Sequence, residues 1–489
     1  MSGEISRRNF LRGTLAGAVV VAGFDTALRS WVSAAELDHH ATALAQDFPV
    51  FDGVLLLDDA SRAAAADDFG HLVHRQPLAV LRPASVNDVE KLISFARRNN
   101  IQVAARGQGH STQGQAQVEA GAVVDMATLA TVHEINPTNA LVDAGTRWLD
   151  LLTQTIPQGL TPPILVDFLE LSVGGTLSVG GIGSQAFRFG PHVDNVLELQ
   201  VVTGEGKLVS CSATRNAAVF HAVRSGLGQF GLIVRARVRL ITAPPNARLY
   251  HAFYSSLPAF LSDLEKLIDD RCFDTVQGFA VPDGAGSWLF QLETSKYFSP
   301  GNEPDDASLL SRLAFNPGTQ SAQDMTYFDY LNRLAPLIAF LRQIGVWDLP
   351  HPWVNLFVPA ANAEILIGET LGNLTVDDVG QGPILIYPFN RELFRAPFFR
   401  VPESRHFFVF ALLRNAVPPT PERAAQLVAA NRILFERAVA LGGKRYPFDS
   451  VPMTKHDWQK HYQPLWGAFV SSKRHLDPDE ILTPGPGIF

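Results

Sequence analysis

The residues from Arg106 to Gln115, Arg-Gly-Gln-Gly-His-Ser-Thr-Gln-Gly-Gln, set three glycines, Gly107, Gly109 and Gly114, around a histidine and a serine. Glycine takes φ > 0 at no steric cost and lets the backbone come close to a ligand. Successive N–H groups in such a turn form a concave nest suited to a pyrophosphate. A phosphate cradle folds without an imidazole, so His110 calls for a reason of its own. A second stretch, Ser172 to Pro191, carries six glycines. Either stretch alone reads as a tight turn. Two of them about 60 residues apart, with strands between them, point to backbone held against one flat or phosphorylated ligand. Gly226, Gly228 and Gly231 add a third approach.

The elements that must carry these turns follow from periodicity. Asp52–Leu57 and Gln76–Ser85 read as strands. Ser85 caps a helix, Val86 to Asn99, whose apolar positions Val89, Leu92, Ile93 and Ala96 recur at helical spacing. Ile101–Ala105 is a short strand leading into the first glycine turn. Ala122–Met126 and Ala140–Gly145 are strands. Trp148 to Gly159 is a helix with a glycine C-cap. Phe220 to Val234 reads as a helix end, a glycine turn and a strand running on to Leu240. The pair Pro244-Pro245 punctuates the chain. Beyond it, strands Gly278–Val281, Trp288–Leu292, Trp353–Val358, Ile384–Tyr387 and Phe407–Leu413 alternate with helices Leu257–Ile268, Ala361–Leu371 and Pro421–Leu441. That pattern fits an antiparallel sheet backed by helices. The fold class is α+β.

Length and composition allow two or three globular domains: 489 residues, 46% hydrophobic and 18% charged. A net charge of −8 removes the electrostatic case for nucleic acid or an anionic membrane. With 32 Phe against 8 Tyr, the interior is aromatic and apolar. Two cysteines, Cys211 and Cys272, cannot form a disulfide framework; a single bridge stays open, and two buried thiols are the expectation. At the N-terminus, Ser6-Arg-Arg-Asn-Phe-Leu-Arg12 precedes a short apolar run, Leu15 to Gly23, and small residues at Ser33-Ala-Ala35. This has the look of a twin-arginine export leader, too short to span a bilayer permanently and removed by cleavage. Export to the periplasm or the medium, with no membrane anchor in the mature form, is the expectation.

The pattern Arg-Gly-x-Gly-His-Ser-x-x-Gly-Gln resembles the flavin loop of the vanillyl-alcohol-oxidase-type FAD oxidoreductases. The run Gly174-Gly-Thr-Leu-Ser-Val-Gly-Gly-Ile182, the segment Asp194 to Gly204 and Pro350-His-Pro-Trp353 make the chain most similar, within that superfamily, to the cytokinin dehydrogenase family. The likeness runs from about Leu78 to Phe489. It implies a two-domain, PCMH-type FAD-binding fold: a leader over residues 1–35, an FAD-binding domain over 36–245, a substrate domain over 246–440, and a tail, 441–489, returning to the FAD-binding domain.

The resemblance implies FAD attached covalently through His110. The second, cysteinyl link of the berberine-bridge branch would fall near Glu170 to Ser172, where no cysteine stands. Implied flavin contacts are Ala105, Arg106, Gly107, Gln108, Gly109, Ser111, Gln115, Asp167, Ser172, Ser178, Ile182, Ile233, Tyr446 and Thr483. Asp167 matches an aspartate that accepts the proton of the substrate's side-chain amine, making the adjacent C–H a better hydride donor. Trp353 and Pro383 match walls of the substrate site. Gln277 stands where the plant-type members carry a glutamate that bonds adenine, and it is assigned a catalytic and substrate-binding place. Pro486 replaces a usual glutamine. No metal is implied. The implied reaction oxidises the side-chain amine of an N6-isoprenoid adenine to an imine, which water splits to adenine and an aldehyde. Oxygen or a quinone-like acceptor reoxidises the flavin. Two other readings remain open: an oxidase of the same fold acting on a sugar or other alcohol, and an exported flavin- or purine-binding protein without turnover.

Overall fold

A computed structural model describes residues 21–25, 30–33 and 48–489. The arginine pair and most of the apolar run of the expected leader lie outside the described residues. Two short strands of that stretch are described. Val21–Asp25 pairs antiparallel with Ser30–Ser33, and Phe24 and Trp31 pack against Phe95 with ring centroids 5.5 and 5.6 Å away.

The first layer is a four-stranded sheet. Val54–Leu56 runs antiparallel to Ala79–Arg82, which lies parallel to Ala122–Asp125, which in turn lies parallel to Val103–Arg106. Helix Val86–Arg98 covers it and buries the face made by Val89, Leu92, Ile93 and Ala96. Ser85 caps that helix by accepting from the Asp88 N–H, a contact worth about 1 kcal/mol. The Asp88 carboxylate reaches back to accept from the backbone N–H groups of Asp52, Gly53 and Ala84, so the helix start also fixes the entering strand. A five-stranded antiparallel sheet follows, with Val196–Val202 and Leu232–Arg239 at its centre. The helix begun at Trp148 ends in a 3-10 turn at Gly159, whose φ of +70° only glycine adopts readily.

The third layer is an eight-stranded antiparallel sheet. Its strands in spatial order are Ser321–Thr326, Asn246–Tyr254, Trp288–Phe298, Thr275–Pro282, Ile384–Asn390, His406–Leu412, Val354–Pro359 and Lys444–Arg445. Helices Leu257–Asp270, Ala360–Asn373 and Pro421–Ala440 pack on it, burying Phe260, Leu264, Leu366, Ile367 and Leu427. The sheet starts at the expected boundary and extends past the expected limit at its C-terminal end. Asn246–Tyr254 starts immediately after the two prolines, and Lys444–Arg445 pairs with Val354–Pro359.

The C-terminal segment then crosses back to the first layer. The Val103 N–H donates to Ile481 O at 2.8 Å, and the Thr483 N–H donates to Val103 O at 2.8 Å. Helix Trp466–Leu476 buries Lys473 with its ammonium on the Gln229 and Leu482 carbonyls and on Asp477, so the charge is satisfied where it sits. Cys211 is buried and Cys272 half-buried, both as free thiols. No helix among the described residues is long and apolar enough to cross a membrane.

Candidate active site

A cavity of about 670 Å³ is walled by the glycine-rich turns on one side and the eight-stranded sheet on the other. The first turn is tied down from behind by Asp68, a residue without a motif of its own. Its carboxylate accepts from the Ser111 hydroxyl at 3.0 Å and from the Gly114 and Gly70 N–H groups at 2.7 and 3.1 Å. Burial pushes the Asp68 carboxyl up to about 6, against these hydrogen bonds and the nearby Arg106. Gly109 has φ +65°, and a Cβ there would collide with the Arg106 guanidinium. A Cβ on Gly107 would collide with Ser172 Oγ, so the first and second turns approach as closely as backbone allows.

The second region differs from an open turn. Its first half winds into helix Val173–Val179, capped by Ser172, and its later glycines carry the chain around the helix end. Tyr446 reaches across from the C-terminal part, where its hydroxyl accepts from the Gly181 N–H at 3.0 Å. Thr483 Oγ1 donates to Gly228 O at 2.9 Å, which locks the third glycine turn to the tail.

Ala105, Gly107, Gln108, Gly109, His110, Ser111, Gln115, Asp167, Ser172, Ser178, Ile182, Ile233, Gln277, Trp353, Pro383, Tyr446 and Thr483 all line this one cavity. Several do so with functional atoms engaged elsewhere. The Ser178 hydroxyl is turned onto Gly174 O, and Gln115 Nε2 donates to Asp449 O. Arg106 stands apart from these. It is absent from the cavity wall, and its guanidinium donates to Asp67 O behind the loop. The guanidinium packs beneath Gly109, where a Cβ would collide with it, and so supports the turn.

His110 faces the cavity within an aromatic group. Phe69 is 4.1 Å away between centroids, Phe168 4.8 Å, Trp353 5.5 Å and Trp347 6.0 Å. Burial, with His351 and Arg342 nearby, pushes the imidazole down to about 3, so it is neutral at ordinary pH and one ring nitrogen keeps an available lone pair.

Across the cavity, Asp167 accepts from the Tyr387 hydroxyl at 3.0 Å and from Arg333 Nη2 at 3.2 Å. Burial raises its pKa, Glu293 adds to the rise, and Arg333 and Tyr387 oppose it. Arg333 also bonds Glu293 at 3.0 Å, and Glu293 lies beside Gln277. Glu293, Arg333 and Tyr387 carried no motif. Tyr387 ends a stretch already marked by Pro383, and alternation along Trp288–Phe298 puts Glu293 on the face of Leu289 and Gln291. Arg333 comes from a turn between two helices and gave no sequence signal.

Among the described residues, Gln277 Oε1, Trp353 Nε1, Asn355 Nδ2 and Asn415 Nδ2 are buried without a hydrogen-bond partner, and all four residues line the cavity. Orphaned polar atoms at one wall, opposite backbone free of side chains, fit a ligand with a phosphate-bearing half and a polar flat ring. FAD meets that description. Gly107 to Ser111, the Ser172–Ile182 stretch, Gly228 and Thr483 would hold it.

A family model described as FAD binding domain matches residues 77–212. A second, described as Cytokinin dehydrogenase 1, FAD and cytokinin binding, matches residues 280–489. The chain is 41% identical over 88% of its length to "Uncharacterized oxidoreductase ORF5 in fasciation locus" of Rhodococcoides fascians, covering 98% of that protein. It is 35% identical to cytokinin dehydrogenase 9 of Oryza sativa subsp. japonica, over 90% of each chain. It is 34% identical to cytokinin dehydrogenase 1 of Arabidopsis thaliana, over 90% of this chain and 83% of that one. The chain therefore belongs to the cytokinin dehydrogenase family of two-domain, FAD-dependent oxidoreductases.

Proposed function

We propose that this enzyme cleaves the N6 side chain of isoprenoid adenines, such as isopentenyladenine, to adenine and an aldehyde, with FAD carried covalently on His110. The observation that carries the reading is Asp167: a carboxylate held by Tyr387 and Arg333 at the wall of the cavity that His110 and the glycine turns also line. When bound, FAD supplies the hydride acceptor.

The chain's own residues do the rest. Asp167, ionised, takes the N6 proton of the substrate. The electron pair left on nitrogen forms the C=N bond as hydride departs from the adjacent carbon. Arg333, on Oδ1, neutralises much of the local charge, and Tyr387, on Oδ2, holds the carboxylate in a fixed orientation with a further lone pair on each oxygen to accept the proton. Phe69, Phe168, Trp347 and Trp353 exclude water while the bond is broken. Water then adds to the imine carbon, and the C–N bond breaks to release adenine. The neutral state of His110 supports its use as a nucleophile in cofactor attachment, since a protonated ring has no free lone pair. Oxygen or a quinone takes the electrons afterwards.

Export by the twin-arginine route is also proposed, on the paired arginines ahead of Leu15–Gly23. Because Phe24 and Trp31 pack against Phe95, N-terminal sequencing of exported protein decides whether cleavage falls before or after them. Steady-state turnover of isopentenyladenine against a panel of sugars and alcohols tests the reaction. Adenine release supports it, and turnover confined to alcohols refutes it.

A further inference from the structure

Asp67-Asp68-Phe69-Gly70 runs beneath the first glycine turn and is bonded to it along its length. Asp67 O accepts from Arg106, the Phe69 N–H donates to Gly109 O at 2.8 Å, and the Gly70 N–H donates to Ser111 O at 3.2 Å. A Cβ on Gly70 would collide with the Thr112 backbone, so the two segments lie as close as main chains can. From the other side, His351 holds the same stretch. Its N–H donates to Gly70 O at 2.9 Å, and its Nδ1 lies 3.0 Å from Phe69 O. A carbonyl only accepts, so Nδ1 carries the hydrogen. Phe69 thus has both main-chain polar groups engaged, and its ring sits between two imidazoles. His351 stacks on one face, with centroids 4.0 Å apart and planes at 20°, and His110 lies on the other at 4.1 Å and 32°. Among the described residues, no hydrogen bond reaches the His110 ring. Its direction is set by ring packing alone, with Phe69 the nearest ring and Phe168 next at 4.8 Å.

We propose that Phe69 is a positioning residue for cofactor attachment: held by Gly109 and His351, it fixes the His110 imidazole with one ring nitrogen turned to the cavity. This rests on the link to His110 proposed above. An unconstrained histidine divides its time among staggered χ1 wells. Bond formation uses one of them, with the reacting atoms held in near-attack contact. An aromatic face orients the ring without engaging either nitrogen. The new bond joins a ring nitrogen to a methyl carbon of the flavin, and one N–H and one C–H bond are broken. Two electrons and two protons are left over, and oxygen takes them up as hydrogen peroxide.

The test follows attachment in time on the full-length chain, made in riboflavin-starved cells and then given FAD in air. Flavin that stays with the protein through gel filtration measures binding, and flavin in the acid-precipitated pellet measures the bond. Phe69→Leu keeps an apolar side chain but offers no ring face. It is expected to bind FAD within about threefold of wild type and to form the bond about 10- to 100-fold more slowly. Phe69→Tyr keeps the face and is expected to attach flavin within about threefold of the wild-type rate. His351→Leu removes the stack and the hydrogen bond behind Phe69, and is expected to slow attachment by about threefold or more with binding unchanged. Attachment at the wild-type rate in Phe69→Leu, or in His351→Leu where the first variant does not fold, overturns the assignment. So does loss of FAD binding in step with loss of attachment, which marks a role in folding the loop. Either result leaves the His110 link standing. Wild-type protein that sheds all its flavin in acid refutes the link, and this inference with it.

Discussion

Replacing Asp167 with asparagine separates the proposed proton acceptor from the architecture around it. The asparagine keeps the volume and one acceptor oxygen, while its amide nitrogen can only donate. Of the two contacts, 3.2 Å to Arg333 and 3.0 Å to Tyr387, one survives with its polarity intact, and the tyrosine hydroxyl can reverse its role to accept the other. Arg333 is not orphaned, because Glu293 remains 3.0 Å away. The structural loss is thus that of one charged hydrogen bond, about 1.5–3 kcal/mol, spread over a large buried domain. The chemical loss is larger. A positioned base contributes about 100- to 10,000-fold, or about 3–5 kcal/mol of barrier at 1.36 kcal/mol per tenfold. Purified Asp167→Asn should carry the wild-type amount of flavin. In an anaerobic stopped-flow mixture with isopentenyladenine, its flavin bleaching should slow by at least about 100-fold. Bleaching within about threefold of wild type would show that the proton leaves by another route, and the mechanism would be wrong.

Other outcomes follow from the same geometry. Arg333→Gln removes the cation that favours the ionised form of Asp167, so its pKa rises further and the acid limb of kcat/KM moves to higher pH; a limb that stays put or moves down contradicts the pairing. His110→Ala should release all flavin to the supernatant on acid precipitation, whereas wild type keeps it in the pellet. Asp68 lies higher in the fold, about 6, than its ordinary 3.8, so its protonated form is the one favoured by folding. Stability from this group is full below about pH 4 and is lost as pH rises through about 6, by roughly 3 kcal/mol. Urea unfolding of Asp68→Asn across that window should be flatter than wild type. A Cβ on Gly485 would collide with Gly114 O, backbone against backbone. Gly485→Ala should cost about 1–3 kcal/mol and loosen flavin retention, read by urea midpoint and flavin release.

The glycine turns, the capped helix Val86–Arg98 and the helix-backed antiparallel sheet were legible because each has a local cause: φ > 0, a side-chain cap, a period of two or 3.6. The seventeen cavity-lining residues among those expected came mainly from the family likeness, which carries information about tertiary position that periodicity lacks. The motif position of Arg106 says nothing about direction, and in the fold its guanidinium bonds Asp67 O behind the loop. Asp68, Glu293 and Arg333 were illegible for a different reason. Their partners are distant in sequence, with Asp68 to Gly114 and Arg333 to Asp167 separated by 46 and 166 positions. Only the closed fold brings them together. Lys444–Arg445 is too short for a strand pattern and is recruited by the edge of Val354–Pro359.

The central claim is that one cavity holds the flavin and presents the N6 side chain of an isoprenoid adenine to Asp167. Anaerobic mixing of the purified holoenzyme with a stoichiometric amount of isopentenyladenine measures this directly. Complete bleaching of the flavin with release of one adenine per flavin is the predicted result. Flavin that stays oxidised with isopentenyladenine, yet bleaches with a sugar or simple alcohol, would contradict it.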